Sequence, residues 1–205
     1  KKMNKTIHHR NDFEGMRKAG HLAASTLDML VDIVKPGVTT EEVDNKAFEF
    51  INKNGGLVGP LFYKGFPKSV CTSINHVICH GIPSSRILES GDIVNIDVTV
   101  IIDGWHGDTS RMFPVGNISS KAQRLIDCTF EAMHKGIKEI SPGKKLGDLG
   151  YAIQSFAEEQ KYSVVREFCG HGLGYVFQDF ANILHYGYKG EGESSEDGEF
   201  FTVEP

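Results

Sequence analysis

The strongest constraint on this chain is that it states one pattern twice. Residues 12–34 carry Phe13, Met16, Leu22, Ala23, Leu27, Leu30 and Val34 at the spacing of one helical face, and Lys35-Pro36-Gly37 stops the run. Thr39 with Glu42 forms a capping box for a second helix, lined by Val43, Ala47 and Ile51 and ended at Gly55. Strand-like, turn-rich sequence follows. From Ser120 the order begins again: Gln123 is placed for another capping box, and Ala122, Ile126, Phe130, Met133 and Ile137 share one helical face. Ser141-Pro142-Gly143 stops that helix, and a shorter one follows with Leu146, Leu149, Ile153 and Phe156. The two Pro-Gly breaks are offset by 106 residues.

The strands keep the offset. GDIVNID opens at Gly91 and DGEFFTVE at Asp197, each ending on a carboxylate, so that Asp97 and Glu204 lie 107 residues apart. Two α/β copies facing each other across a pseudo-twofold axis would bring these acids toward one centre. Two unrelated α/β halves of similar make-up would give the same pattern by chance.

A chain of 205 residues, 40% hydrophobic and 24% charged, is long enough to bury a core and is expected to form one domain over residues 1–205, with half-repeats at about 12–115 and 119–205. Net charge is −5 and the longest basic run is Lys1-Lys2, which argues against a broad nucleic-acid footprint. Apolar stretches are strand-sized and the N-terminus is polar, so neither a membrane span nor a signal peptide is expected, and a cytoplasmic location is. Lys1 and Lys2 precede Met3, a natural start, and are expected to be additions. Cys71, Cys79, Cys128 and Cys169 lack CxxC spacing and read as reduced packing residues.

One hairpin carries the chemistry. Val94, Ile96, Val98 and Val100 alternate with Asn95, Asp97 and Thr99, placing the acid away from the oily face. Asp103-Gly104 is a two-residue turn signal, and residues opposed across it have numbers summing to 207. Thr99 then opposes Asp108 and Asp97 opposes Ser110, making the two aspartates same-face diagonal neighbours about 7 Å apart. Two ionised carboxylates so placed repel, and a divalent cation, or two about 4 Å apart, would relieve them. Two solvated surface acids fit the same spacing.

CHGIP at 79–83, NIDVTV at 95–100, DGWHGDTSRMF at 103–113, CGHGLG at 169–174 and FFTVEP at 200–205 resemble the type I, short bacterial methionine aminopeptidases, a likeness running from about residue 12 to the end. The resemblance implies the α/β (α+β) pita-bread fold: two pseudo-twofold-related halves with antiparallel sheet covered by helices, around two divalent metal ions. It implies Asp97 as a ligand of one metal, Asp108 as a bridging ligand, and His171 and Glu204 as further ligands. Glu204 doubles as general base, and His80 contacts substrate near the scissile amide. Tyr63, Phe66, Cys71 and Phe177 match positions lining the methionine pocket, Phe66 replacing a more usual tyrosine. A metal-bridging water is the implied nucleophile, and carboxylate-rich ligation with one histidine suits manganese, iron or cobalt. Nascent polypeptide N-termini are the implied substrate, with the ribosome as a further contact and a monomer as the expected state.

Two departures stand out. Gln178 occupies the place of a second catalytic histidine: it can donate a hydrogen bond to an oxyanion but cannot shuttle a proton. The resemblance also implies, after Pro205, a hairpin carrying a last bridging glutamate, so the natural chain is expected to continue or this form to bind metal poorly. A weakened pita-bread peptide binder and a proline-specific peptidase of the same fold are the alternative readings. Tyr63 and Cys71 oppose the second. His8, His9, His21, His76, His106, His134 and His185 lie outside the motifs and read as surface or packing residues. GHGLG at 170–174 lacks the context of a phosphate loop. The acidic stretch 191–199 reads as a mobile loop.

Overall fold

The computed structural model describes residues 5–61 and 63–205, so the expectation about Lys1 and Lys2 falls outside them. Two compact units are formed. One runs Phe13–Gln123, and the other combines residues 5–12 with Arg124–Pro205. Among the described residues no helix is long and apolar enough to cross a membrane.

The Phe13–Gln123 unit is built on one long hairpin. Helix α1 (Asp12–Leu30) ends four residues short of Val34, the last apolar residue before the Pro-Gly stop, and α2 (Thr40–Lys53) opens on the expected capping box: Thr39 Oγ1 accepts the Glu42 N–H and the Glu42 carboxylate accepts the Thr39 N–H. Strands β1 (Leu57–Val58) and β2 (Cys71–Ile74) pair along one edge of β3 (Ile93–Ile102), while β4 (Trp105–Pro114) pairs along the other, all antiparallel. Asp103 and Gly104 both adopt positive φ, as a two-residue turn requires. Val94, Ile96, Val98 and Val100 are fully buried with Leu22, Leu27, Leu30, Val43, Ala47 and Ile51 of the helices, so period two on the strand meets period 3.6 on the helices in one core. Strand β4 lies close against α1. A Cβ on Gly107 would sit 2.3 Å from the Ala19 carbonyl, and one on Gly15 would meet Trp105 at 2.3 Å. Asp44, buried on α2, accepts the N–H groups of Ser69 and Val70 at 2.8 and 2.9 Å and so holds the segment leading into β2.

The other unit holds most of α3 (Ser120–Ile137), with α4 (Leu146–Glu159), β5 (Gly170–Gly172) and β6 (Asp179–Ile183). The hydroxyl at the start of α3 is that of Ser119, which accepts the Ala122 N–H at 3.1 Å, one residue earlier than the sequence pattern suggests. The buried residues of α3 are Cys128, Ala132 and Gly136, where a Cβ on Gly136 would meet Ile153 of α4 at 2.7 Å. The face expected to be core is largely open: Phe130 is 62% and Ile137 39% exposed. The stretch 200–204, expected as a strand, contributes one bridge, Phe201 to Gly172, in place of a ladder. The acidic stretch 191–199 is tied down, because Leu146 and Gly147 donate to Glu193 and Glu191, Ser195 pairs with Gly143 and Lys144, and Lys5 forms an ion pair with Glu199 at 2.9 Å. The carboxylates of Glu191, Glu193, Glu196 and Asp197 stay outward and that of Glu199 turns in to Lys5, while the backbone is bonded, which composition alone could not reveal.

Candidate metal centre

In the Phe13–Gln123 unit the expected register holds. Asp97 opposes Ser110 and Thr99 opposes Asp108, so both aspartates are half-buried on the sheet face opposite the core. Across the other edge of β3, Cys71 opposes Asp97 and joins the same face. Burial pushes the Cys71 thiol up to about 12, and the negative charges of Asp97, Cys79 and Asp108 add to it. The acid pair thus makes this face hostile to further negative charge. Gly107, seated on the α1 backbone, fixes β4 one residue before Asp108.

The first unit's other candidates lie on the segments just before and just after β2. Tyr63 starts a short 3₁₀ turn (Tyr63–Gly65) and carries the Lys64 ammonium 5.2 Å from its ring centroid, while Phe66 is half-buried just beyond. His80 is exposed, with a left-handed φ of 56°, in the loop after β2. That loop is clamped to the strand: the Thr72 N–H donates to the Gly81 carbonyl at 2.8 Å and the Gly81 N–H to Ser73 Oγ at 3.1 Å. A Cβ on Gly81 would fall 2.0 Å from the Thr72 oxygen, so the CHGIP glycine is what lets the loop lie there.

In the other unit His171 and Glu204 are neighbours, with His171 Nε2 3.6 Å from Glu204 Oε1. His171 Nδ1 lies 3.0 Å from the Gly172 carbonyl, which can only accept, so Nδ1 carries a proton and Nε2 is the ring atom turned toward the carboxylate. Thr202 ties the two together: its hydroxyl donates to Glu204 Oε1 at 2.5 Å and accepts the His171 N–H at 3.0 Å, while its own N–H donates to the His171 carbonyl at 2.9 Å. Gly170 permits this approach, since a Cβ there would lie 2.2 Å from the Thr202 oxygen. The Phe177 ring centroid is 6.4 Å from that of His171, and Gln178 is exposed at the end of the same loop, just before β6.

His185, set aside with the packing histidines, proves to touch this group. It is 3% exposed and its Nε2 accepts the Glu204 N–H at 3.1 Å. Burial pushes its pKa down to about 4, keeping the ring neutral at ordinary pH. Its partner lies 19 residues away, and no local spacing signals the contact.

Each unit therefore brings together two of the expected ligands: Asp97 with Asp108, and His171 with Glu204. Among the described residues no group of three or more His, Cys, Asp or Glu side chains is gathered as a metal cage. The donor chemistry nonetheless fits a divalent cation: hard carboxylate oxygens and one imidazole whose Nε2 faces a carboxylate.

The family model described as Metallopeptidase family M24 matches residues 14–205. The chain belongs to this family. It is 58% identical over 199 residues to a methionine aminopeptidase of Rickettsia prowazekii, covering 97% of this chain and 77% of that protein. With methionine aminopeptidase A of Synechocystis it shares 50% over 201 residues, covering 98% and 79%. The crystal structure of methionine aminopeptidase from Rickettsia prowazekii superposes with a TM-score of 0.97 at 57% identity, over 98% of this chain and 81% of that one. A Xaa-Pro dipeptidase from Bacillus anthracis reaches a TM-score of 0.83 at 22% identity, over 98% and 54%, and shares the fold alone. The α/β pita-bread class expected from the repeat and motifs is thus the fold of this M24 chain, and as a metallopeptidase family M24 works with divalent metal.

Proposed function

We propose that the chain removes the N-terminal methionine from polypeptides as a metal-dependent aminopeptidase. One observation carries the reading: identity of 58% over 97% of the chain to a protein named for that activity, against 22% to the Xaa-Pro dipeptidase. Asp97, Asp108, His171 and Glu204 are the proposed ligands of two divalent ions, with manganese, iron and cobalt as the candidates. When bound, such ions supply an acidified water and polarise a carbonyl. The chain's own groups do the rest. His171, its Nδ1 proton committed to Gly172, offers Nε2 as its ligating atom. Glu204 takes the proton released from the attacking water. His80 hydrogen-bonds substrate near the scissile amide, and the Gln178 amide donates to the developing oxyanion. Tyr63, Phe66, Cys71 and Phe177 receive the methionine side chain, because a polarisable thioether is stabilised by aromatic edges and a neutral thiol. Nascent polypeptides are the proposed substrates and the chain is taken to act as a cytoplasmic monomer, with the ribosome as a further contact. Its four unbridged cysteines suit a reducing compartment.

The test is hydrolysis of Met-Ala-Ser with manganese, cobalt and iron supplied in turn, beside an X-Pro peptide. Cleavage of the first and not the second is expected, and an intact Met-Ala-Ser under all three metals removes the reading. Gln178→His is expected to raise kcat about tenfold by restoring a group that can carry a proton. An unchanged kcat would mean that glutamine serves equally well.

A further inference from the structure

Glu204 stands where ordinary strand pairing stops. The Thr202 N–H is taken by the His171 carbonyl, but two residues on, the Glu204 N–H is taken by a side chain, Nε2 of His185 at 3.1 Å. His185 follows β6 by two residues and is 3% exposed, so the acceptor end of this hydrogen bond is buried. A backbone N–H can only donate. Nε2 must therefore be the bare nitrogen of a neutral ring whose proton is on Nδ1. The carboxylate end of the same residue is held by the Thr202 hydroxyl at 2.5 Å, and faces His171 Nε2 at 3.6 Å. Glu204 is thus gripped at its main chain by His185 and at its side chain by Thr202.

We propose that His185 is a positioning residue for Glu204, fixing the main chain at that residue so that its carboxylate faces Nε2 of His171. The proposal rests on the reading of Glu204 as a metal ligand. Without the acceptor, Glu204 would keep its chemistry but lose its fixed direction, and a cation needing both His171 and Glu204 would bind less tightly. Groups that hold a metal's ligands in place commonly influence affinity by 10–100-fold.

Three variants decide it, each studied as the whole chain. Manganese affinity is measured by isothermal titration, with a metal-free thermal melt to keep stability separate. His185→Leu removes the acceptor and is expected to weaken manganese binding about tenfold and to lower kcat with little change in KM. His185→Gln keeps an acceptor oxygen near the position of Nε2, and is expected to restore most of both. Manganese bound by His185→Leu as tightly as by the parent overturns the proposal, as does His185→Gln behaving like the leucine variant, since the acceptor would then not be what matters. Glu204→Gln separates the two levels: should it bind manganese like the parent, the ligand reading fails whatever His185 does. If His185→Leu does not fold, ¹⁵N imidazole spectra of the metal-free parent near neutral pH decide the matter. A neutral ring protonated on Nδ1 upholds the proposal, and a proton on Nε2 overturns it.

Discussion

The two units repeat one pattern in sequence but not in burial. Around β3 and its neighbours, the buried cluster of the Phe13–Gln123 unit draws on both helices and on two strands, β3 and β4. The corresponding cluster of the other unit, among the described residues, is Ala132, Leu149, Ile153 and Ile183, with residues such as Phe156, Phe201 and Val203 only partly covered. Helix α1 buries Ala19, Ala23, Thr26 and Leu30, and positions 107 later on α3 are Ile126, Phe130, Met133 and Ile137, of which Phe130 and Ile137 are exposed. The oily face is the same in both. What differs is the paired strand beneath it: α1 rests on β4 through Gly107, and α3 instead packs on α4 through Gly136. A helix's periodicity declares which side avoids water, and the sheet decides whether that side is covered.

The largest effect should come from closing the contact that the first unit depends on. In Gly107→Ala the new methyl meets Ala19 backbone at 2.3 Å, which has no flexible end to yield. A loss of about 3 kcal/mol in urea-unfolding free energy is expected, along with loss of metal binding. Gly170→Ala, at 2.2 Å from the Thr202 oxygen, should cost less stability while weakening metal binding as much, because residues 200–204 are joined to β5 by one bridge. Equal stability losses in both would break the comparison.

Next come the hydrophobic positions themselves. Ile96→Ala, at a fully buried site, is expected to cost about 3 kcal/mol, and Phe130→Ser, at a site 62% exposed, less than about 0.5 kcal/mol. Chemical denaturation of both variants checks this. A Phe130→Ser loss near that of Ile96→Ala would mean that the α3 face is covered in solution.

The smallest effect is acid sensitivity. Burial alone would raise the Asp92 carboxyl, but the Glu89 N–H, the Asn75 amide and the Arg86 guanidinium outweigh it and hold the group below the usual carboxylate range of 3.8. With its folded pKa depressed, its stabilising contribution is complete above 3.8 and is lost as pH falls through the lower folded value. Asp92→Asn should therefore flatten the fall in urea midpoint on acidification from about pH 5 to about pH 2.5. The place 106 residues on is Gly198, so the second half has no matching carboxylate there, and an unchanged slope would remove Asp92 as a source of the difference.

Much of this was legible beforehand because it is local. The 207 register follows from a two-residue turn, and the Thr39–Glu42 box from four adjacent residues. The diagonal placement of Asp97 and Asp108 needed nothing more. What escaped depends on partners distant in sequence. The openness of Phe130 turns on what lies over α3, the bridge at Phe201 on how far β5 reaches, and the contact from His185 to Glu204 on a fold that brings the end of β6 beside residue 204. The anchoring of 191–199 likewise comes from the 143–147 backbone.

The tight turn at Asp103-Gly104 carries a rule of parity. Side chains alternate along β4, so deleting one residue of the three from Trp105 to Gly107 would swing Asp108 from the acid face into the oil beneath, whereas deleting two of them would leave it on its own side, displaced along the strand. Changes of length in this ribbon are tolerable only in even steps, and a lineage that shortened it by one would have to surrender the carboxylate or rebuild the sheet.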